Sequence, residues 1–161
     1  MARYAQDAGY QKVLIIDFDV HHGNGTQDIF YDDKSVFFIS FHEENNYPYF
    51  VGDKEEIGKG EGRGFTKNIP YKDEIEDAEF LALFDELPRD FDFDIVLVSA
   101  GYDLMSGELI SSANISFYAL GEMVEKILEY AKDKPIAFLL EGGYEIDSLV
   151  KSVDITLEKM R

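Results

Sequence analysis

Four short apolar runs set the terms on which this chain can fold. Residues 13–18, 36–41, 95–100 and 136–140 read VLIIDF, VFFISF, IVLVSA and IAFLL, with little alternation of polar and apolar positions. Strands that are apolar throughout are buried on both faces, the condition of a parallel sheet covered by helices. Helical stretches fall between and after them, at 26–31, 74–87, 116–132 and 146–160. Within 116–132, Tyr118, Ala119, Leu120, Met123, Val124, Ile127 and Leu128 recur at helical spacing. This alternation predicts an α/β fold with right-handed crossovers. Segment 43–67, rich in Gly, Asn and aromatics, is too long for a plain connection and reads as a functional surface loop. No repeat or low-complexity linker interrupts the pattern, and 161 residues are enough to bury a core.

Open parallel sheets bind ligands beyond the carboxyl ends of their strands. In this chain the residues at and just after those ends are unusually polar. Asp17, Asp19, His21 and His22 come with the first run, Ser40, Phe41 and His42 close the second, Asp103 comes after the third, and Tyr144 comes after the fourth in LEGGYE. Side chains alternate along an extended strand, so Asp17, Asp19 and His21 face one way and Phe18, Val20 and His22 the other. Two carboxylates buried together need a cation or strong donors, and almost no Lys or Arg is near them in sequence. A metal meets that need. Asp19, His21 and Asp103 would form an oxygen and nitrogen ligand set with open positions, the pattern of a catalytic Zn²⁺. Asp17 is left for a second, harder cation or for support of the first. Each piece has another reading. Asp-x-Asp also occurs in phosphotransfer folds, though these want a small hydroxyl or Val where His21 stands. A His pair can serve a loop, Asp103 can close a turn between Gly101 and Gly107, and Tyr144 can start a helix and pack its ring.

Composition narrows the partners. Fifteen basic against 33 acidic residues give a net charge of −18, which disfavours direct binding to nucleic acid or an anionic membrane and suits a cationic substrate. The absence of Cys excludes disulfides and thiolate metal sites. Residues 1–12 are polar and helix-like, with no secretory pattern and no long apolar span, so a soluble cytoplasmic protein is expected.

Five segments in order, IDFDVHHGNGTQDIFY, ISFHEE, IGKGEGRGFTKNIP, SAGYDLMSGE and LEGGY, resemble successive motifs of the zinc-dependent histone deacetylases and their relatives, the acetoin-utilisation proteins and acetylpolyamine amidohydrolases. The resemblance implies an arginase-like three-layer α/β fold and hydrolysis of an acetylated amine such as acetyl-lysine or an acetylpolyamine. It implies that Asp19, His21 and Asp103 bind zinc. Tyr144 would donate its hydroxyl to the substrate carbonyl, and Gly142 and Gly143 would let the backbone approach the substrate. By the same resemblance a potassium ion would take Asp17, Asp19 and Ser40 with the carbonyls of His21 and Phe41. A second would use backbone near Phe30, Asp33 and Val36. Phe50 matches an aromatic wall of the acyl channel, and His22 is left to support or structure.

Departures from the family pattern are informative. Val51-Gly52-Asp53-Lys54 stands where Pro-Gly-Thr-Gly is common, and Glu108-Leu109-Ile110 where Asp-Pro-Leu is usual. The resemblance covers only the C-terminal half of the family's domain, so residues 1–161 are expected to be that portion of a single deacetylase-like domain, truncated on its N-terminal side. The other half carries the His pair that acts as general base, and His21, His22 and His42 are the only histidines here. The chain alone is therefore expected to be weak or inactive. An N-terminal partner chain or self-association through an exposed sheet edge would complete it. A non-catalytic remnant that binds metal or an acyl ligand is the alternative.

Overall fold

The computed structural model describes all 161 residues. Five strands form one parallel sheet: β1 (Val13–Asp17), β2 (Val36–Glu43), β3 (Thr66–Tyr71), β4 (Ile95–Ala100) and β5 (Ile136–Leu140), in the order β3-β2-β1-β4-β5. The helices are α1 (Ala2–Asp7), α2 (Asn24–Phe30), α3 (Asp77–Leu83), α4 (Phe117–Ala131) and α5 (Ile146–Lys159). All four apolar runs are strands. β1 sits at the centre, every residue of it buried, which explains why it is apolar on both faces up to Asp17.

Three differences from the pattern expected of the sequence have physical causes. A fifth strand, β3, lies where the sequence suggests the end of a loop and its sequel. TKNIPY is polar enough to escape the apolar criterion because β3 is an edge strand, half-buried at Lys67, Ile69 and Pro70, and an edge tolerates Pro. The helix expected over 74–87 is shorter, with Asp77–Leu83 helical and Phe84–Glu86 a 3₁₀ turn. Its early residues instead make an isolated bridge, Glu76 to Asn114. Helix α2 begins at Asn24, two residues before the expected start.

The main core lies on the α3 and α4 side, where Ile16, Phe41, Phe80, Val98, Leu104, Leu120, Met123 and Ile127 join one buried cluster. A smaller cluster on the other face packs Ala2 and Ala5 of α1 on Val13, Ile15, Phe38 and Leu97. Ser116 caps α4, its hydroxyl accepting the Ala119 amide at 3.2 Å. β1 and β4 end in register, Asp17 opposite Ser99. That register brings the polar segments after β1 and β4 side by side at the carboxyl end of the sheet.

Candidate metal centre

Beyond β1 the chain bends over Asp19–His21. Phe18 and Val20 keep to the main core as the alternation expects, but His22, expected on their side, packs instead against Phe38 of the smaller cluster. Asp19 and His21 turn toward the segment after β4, whereas His22 packs the other way, its ring 4.7 Å from that of His42 and 6.4 Å from Phe38. Asp103 is fully buried and meets them from the turn that follows β4. His21 Nδ1 lies 3.0 Å from Asp19 Oδ1 and 3.2 Å from Asp103 Oδ2. One ligand atom from each of the three residues falls within 4.8 Å of the other two. The Asp103 carboxylate is aimed by the Val20 amide, which donates to Oδ1 at 3.0 Å. Asp103 Oδ2, buried, accepts no hydrogen bond.

The surrounding charge shows what this arrangement lacks. His21 is the only cationic group among the ion pairs of the cluster, and the two carboxylates beside it raise its imidazole to about 10. Burial pushes the Asp103 carboxyl up, and the nearby Asp19 charge adds to the push. Burial also works against the Asp19 charge, but hydrogen bonds from His21 and Gly142 override it and hold Asp19 below the usual carboxylate range. Asp17, fully enclosed, is pushed well above its ordinary value by burial and by Asp19, Glu141 and Asp103. Three carboxylates, those of Asp17, Asp19 and Asp103, with one imidazole suit a cation placed among them. Two carboxylates and one imidazole within reach of one another, with the buried Asp103 Oδ2 met only by the His21 ring, match the donor set of a divalent metal with open coordination positions.

Glycines allow the approach. A side chain at Gly101 would collide with Asp19, and one at Gly142 with the carboxylates of both Asp103 and Asp19. The Gly142 amide donates to Asp19 Oδ2 at 2.9 Å. This close contact places Gly142, Gly143 and Tyr144 at the rim of the cluster. The Tyr144 ring is 64% exposed, and its phenol is raised by partial burial and then by Asp103, Asp19 and Glu108, so it keeps its proton at neutral pH.

Asp17 and Ser40 are neighbours in register across β1 and β2. Ser40 Oγ lies 2.9 Å from His42 Nδ1, Asp17 Oδ1 accepts the Asp19 amide at 3.1 Å, and the Phe41 ring is stacked on Phe84 in the core. Near the second expected cation position, the Phe30 and Asp33 carbonyls accept the Asp33 and Val36 amides. Phe50 lies on the loop after β2 with its side chain wholly exposed and its ring 6.4 Å from that of Tyr49.

Sequence reasoning missed two groups. Tyr47 brings its ring to 6.5 Å from His21, edge to face, and nothing in the sequence separates it from the other loop aromatics. The second is a buried polar relay. His22 Nε2 lies 3.1 Å from Gln27 Oε1, which accepts the Asn68 amide group at 2.7 Å, while Glu56 accepts from Gln27 and from the Gly52 and Asp53 amides. The relay ties the loop that carries Phe50 to β3 and α2, which gives His22 a structural task.

Comparison with known proteins decides the family. The model of the histone deacetylase domain matches residues 1–160. The chain belongs to the histone deacetylase family. It is 40% identical to the chloroplastic histone deacetylase 14 of Arabidopsis thaliana over 162 residues, which covers 94% of this chain and 38% of that protein. Among solved structures, the HDA15 HD domain superposes with a TM-score of 0.91 at 34% identity, and an acetylpolyamine aminohydrolase from Burkholderia pseudomallei with 0.91 at 30%. Both comparisons cover 98% of this chain and 47% of the other. The sheet is thus that of the deacetylase fold, and the chain spans about half the length of the solved relatives. No helix of the chain is long and apolar enough to cross a membrane.

Proposed function

We propose that this chain supplies the metal site and the carbonyl-binding tyrosine of a zinc-dependent amidohydrolase that removes acetyl groups from acetyl-lysine, an acetylpolyamine or a similar acetylated amine. The observation that carries the reading is the convergence of Asp19, His21 and Asp103 beside an exposed, protonated Tyr144. Asp19, His21 and Asp103 would hold zinc, which when bound polarises a carbonyl and acidifies water. The Tyr144 hydroxyl donates to the carbonyl oxygen as that oxygen gains charge. Gly142 and Gly143, whose missing side chains let the backbone close on Asp103, Asp19, Tyr102 and Leu149, would bring that backbone to the substrate, and Phe50 would offer an aromatic wall. Asp17, Ser40 and the Phe41 carbonyl would hold a potassium or similar monovalent ion, whose charge would favour the ionised form of the buried Asp17 carboxyl.

No histidine of this chain is placed as general base. His42 is buried against Ser40 and the Gly52 carbonyl, and His22 is engaged by Gln27. General acid-base help is worth about 10²- to 10⁴-fold in rate, so the isolated chain should turn over slowly or not at all. Residues 1–161 act, in this reading, as the C-terminal portion of one deacetylase-like domain, completed by an N-terminal partner chain or by self-association. The exposed margin at β5 favours it: Leu140 is 60% exposed and the rest of β5 only half-buried. An assembly or metal-binding subunit without turnover is the second reading, favoured by the same missing base.

Acetate release from an acetyl-lysine peptide and an acetylpolyamine tests this, using zinc-loaded chain alone and with the N-terminal half of a relative. The expected result is release that requires the added half, is abolished by Asp103→Ala and falls about 10²- to 10³-fold in Tyr144→Phe. Zinc binding with no release from either mixture would leave the second reading standing and sink the first.

A further inference from the structure

Tyr144 reaches the rim of the metal cluster on a short segment whose direction its own side chain does nothing to hold: the ring is 64% exposed and the hydroxyl has no hydrogen-bond partner in the chain. Something must fix the backbone. Gly142 is pinned on one side, its amide on Asp19 and its carbonyl accepting the Tyr102 amide at 2.9 Å. Gly143 then turns the chain with φ of +125°, a conformation that L side chains rarely adopt. The far side of that turn is held by Glu108. Its carboxylate is 9% exposed and accepts the Tyr144 amide at 3.1 Å and the Glu145 amide at 3.1 Å, both through Oε1. Oε2 lies 3.3 Å from the Tyr144 amide.

The simplest alternative is that Glu108 caps α5. That role is already filled, because the N-cap Glu145 accepts the Ser148 amide with its own carboxylate at 2.8 Å. Glu108 reaches further back, to the residue that carries the phenol. It also stands five residues after Asp103 on the same connection, folded back by its amide donating to the Met105 carbonyl at 3.2 Å. One connection thus delivers a carboxylate to the metal cluster and a second carboxylate to the tyrosine turn.

We propose that Glu108 is a positioning residue that sets the distance between Tyr144 and the Asp19–His21–Asp103 cluster by gripping the amides of Tyr144 and Glu145. This deepens the proposed function and rests on Tyr144 being the donor to the substrate carbonyl. A charge-assisted pair of bonds to two consecutive amides holds a turn more tightly than neutral bonds would, and a misplacement of about 1 Å at a reacting centre can cost on the order of 10²-fold in rate. The Gln variant keeps an acceptor oxygen in the place of Oε1, so it retains the grip; the Ala variant loses it.

The test compares wild type, Glu108→Gln and Glu108→Ala, each loaded with zinc and assembled with the N-terminal half of a relative. Amide hydrogen exchange is followed at Tyr144 and Glu145, together with kcat, KM and zinc affinity. Expected in Glu108→Ala is exchange at those two amides faster by about tenfold or more, with core amides of β1 and α4 unchanged. Zinc affinity should hold, kcat should fall about 10- to 100-fold with KM little changed, and Glu108→Gln should restore most of both. Unchanged exchange at Tyr144 and Glu145 in Glu108→Ala would overturn the grip. Faster exchange with unchanged kcat, in an assembly where Tyr144→Phe is impaired, would overturn its role in positioning. If no variant turns over, the exchange readout still decides the grip on its own, while the deacetylase reading falls separately.

Discussion

Helices α4 and α5 are nearly the same length and pack against each other, yet they bury opposite kinds of residue. Helix α4 encloses Leu120, Met123, Val124 and Ile127, whereas the fully covered positions of α5 are Ser148, Ser152 and Thr156. Ile146, Val150 and Leu157 of α5 are at least half exposed. The strands repeat the contrast: β1 is buried at every position, and β5 is buried at none. The centre of the sheet is therefore a finished core that fixes Asp19, His21 and Asp103, and the β5 margin is an apolar border on which Tyr144 sits. The lesson is that metal binding and turnover should separate: the first belongs to the finished side, the second needs the open side completed.

The strongest break of this contrast comes where the two sides touch. In Gly142→Ala the added methyl collides with the carboxylates of Asp103 and Asp19, so zinc affinity by calorimetry should fall by at least about 10²-fold, with a loss of stability. Leu120→Ala on the finished side should cost about 2–5 kcal/mol in denaturant unfolding, because it empties a fully buried site.

Acidification probes the same side. Burial, and then the neighbouring His22, lower the His42 imidazole to about 4, below its usual 6.5. The unfolded chain then takes up a proton that the folded one refuses. Stability should fall as pH drops from about 6.5 to about 4, by up to about 3 kcal/mol, and this contribution should level off below that. Unfolding free energies across that window in wild type and His42→Gln measure it; an equal slope in both would remove His42 as the cause. On the open side, Val150→Ser should change stability by no more than about 0.5 kcal/mol in the isolated chain. A larger loss there would mean that α5 is already covered.

How far the sequence revealed this depends on which physical signal each residue carries. The four apolar runs announced themselves as strands, although β5, at a sheet edge, is not buried on both faces as its run suggests. Alternation after β1 set Asp19 and His21 apart from Phe18 and Val20, but did not foretell the side that His22 takes after the bend. β3 escaped because an edge strand need not be apolar on both faces, and its Pro70 argued against a strand. Asp103 could be paired with Asp19 only through the parallel register of β1 and β4, which the order of the runs suggests but does not dictate. Glu108 and Glu56 were illegible: each grips backbone amides that lie 36 residues or 3–4 residues away, and an amide leaves no mark in the sequence. Phe50, expected at a channel wall, is wholly exposed, with its ring 6.4 Å from that of Tyr49.

Zinc content after gel filtration, measured by elemental mass spectrometry, tests the central claim most directly. The account predicts about one zinc per wild-type chain without any partner, and almost none in Asp19→Ala/Asp103→Ala whose circular dichroism remains native. A folded wild-type chain that retains no zinc, or a double variant that retains as much as wild type, would contradict it.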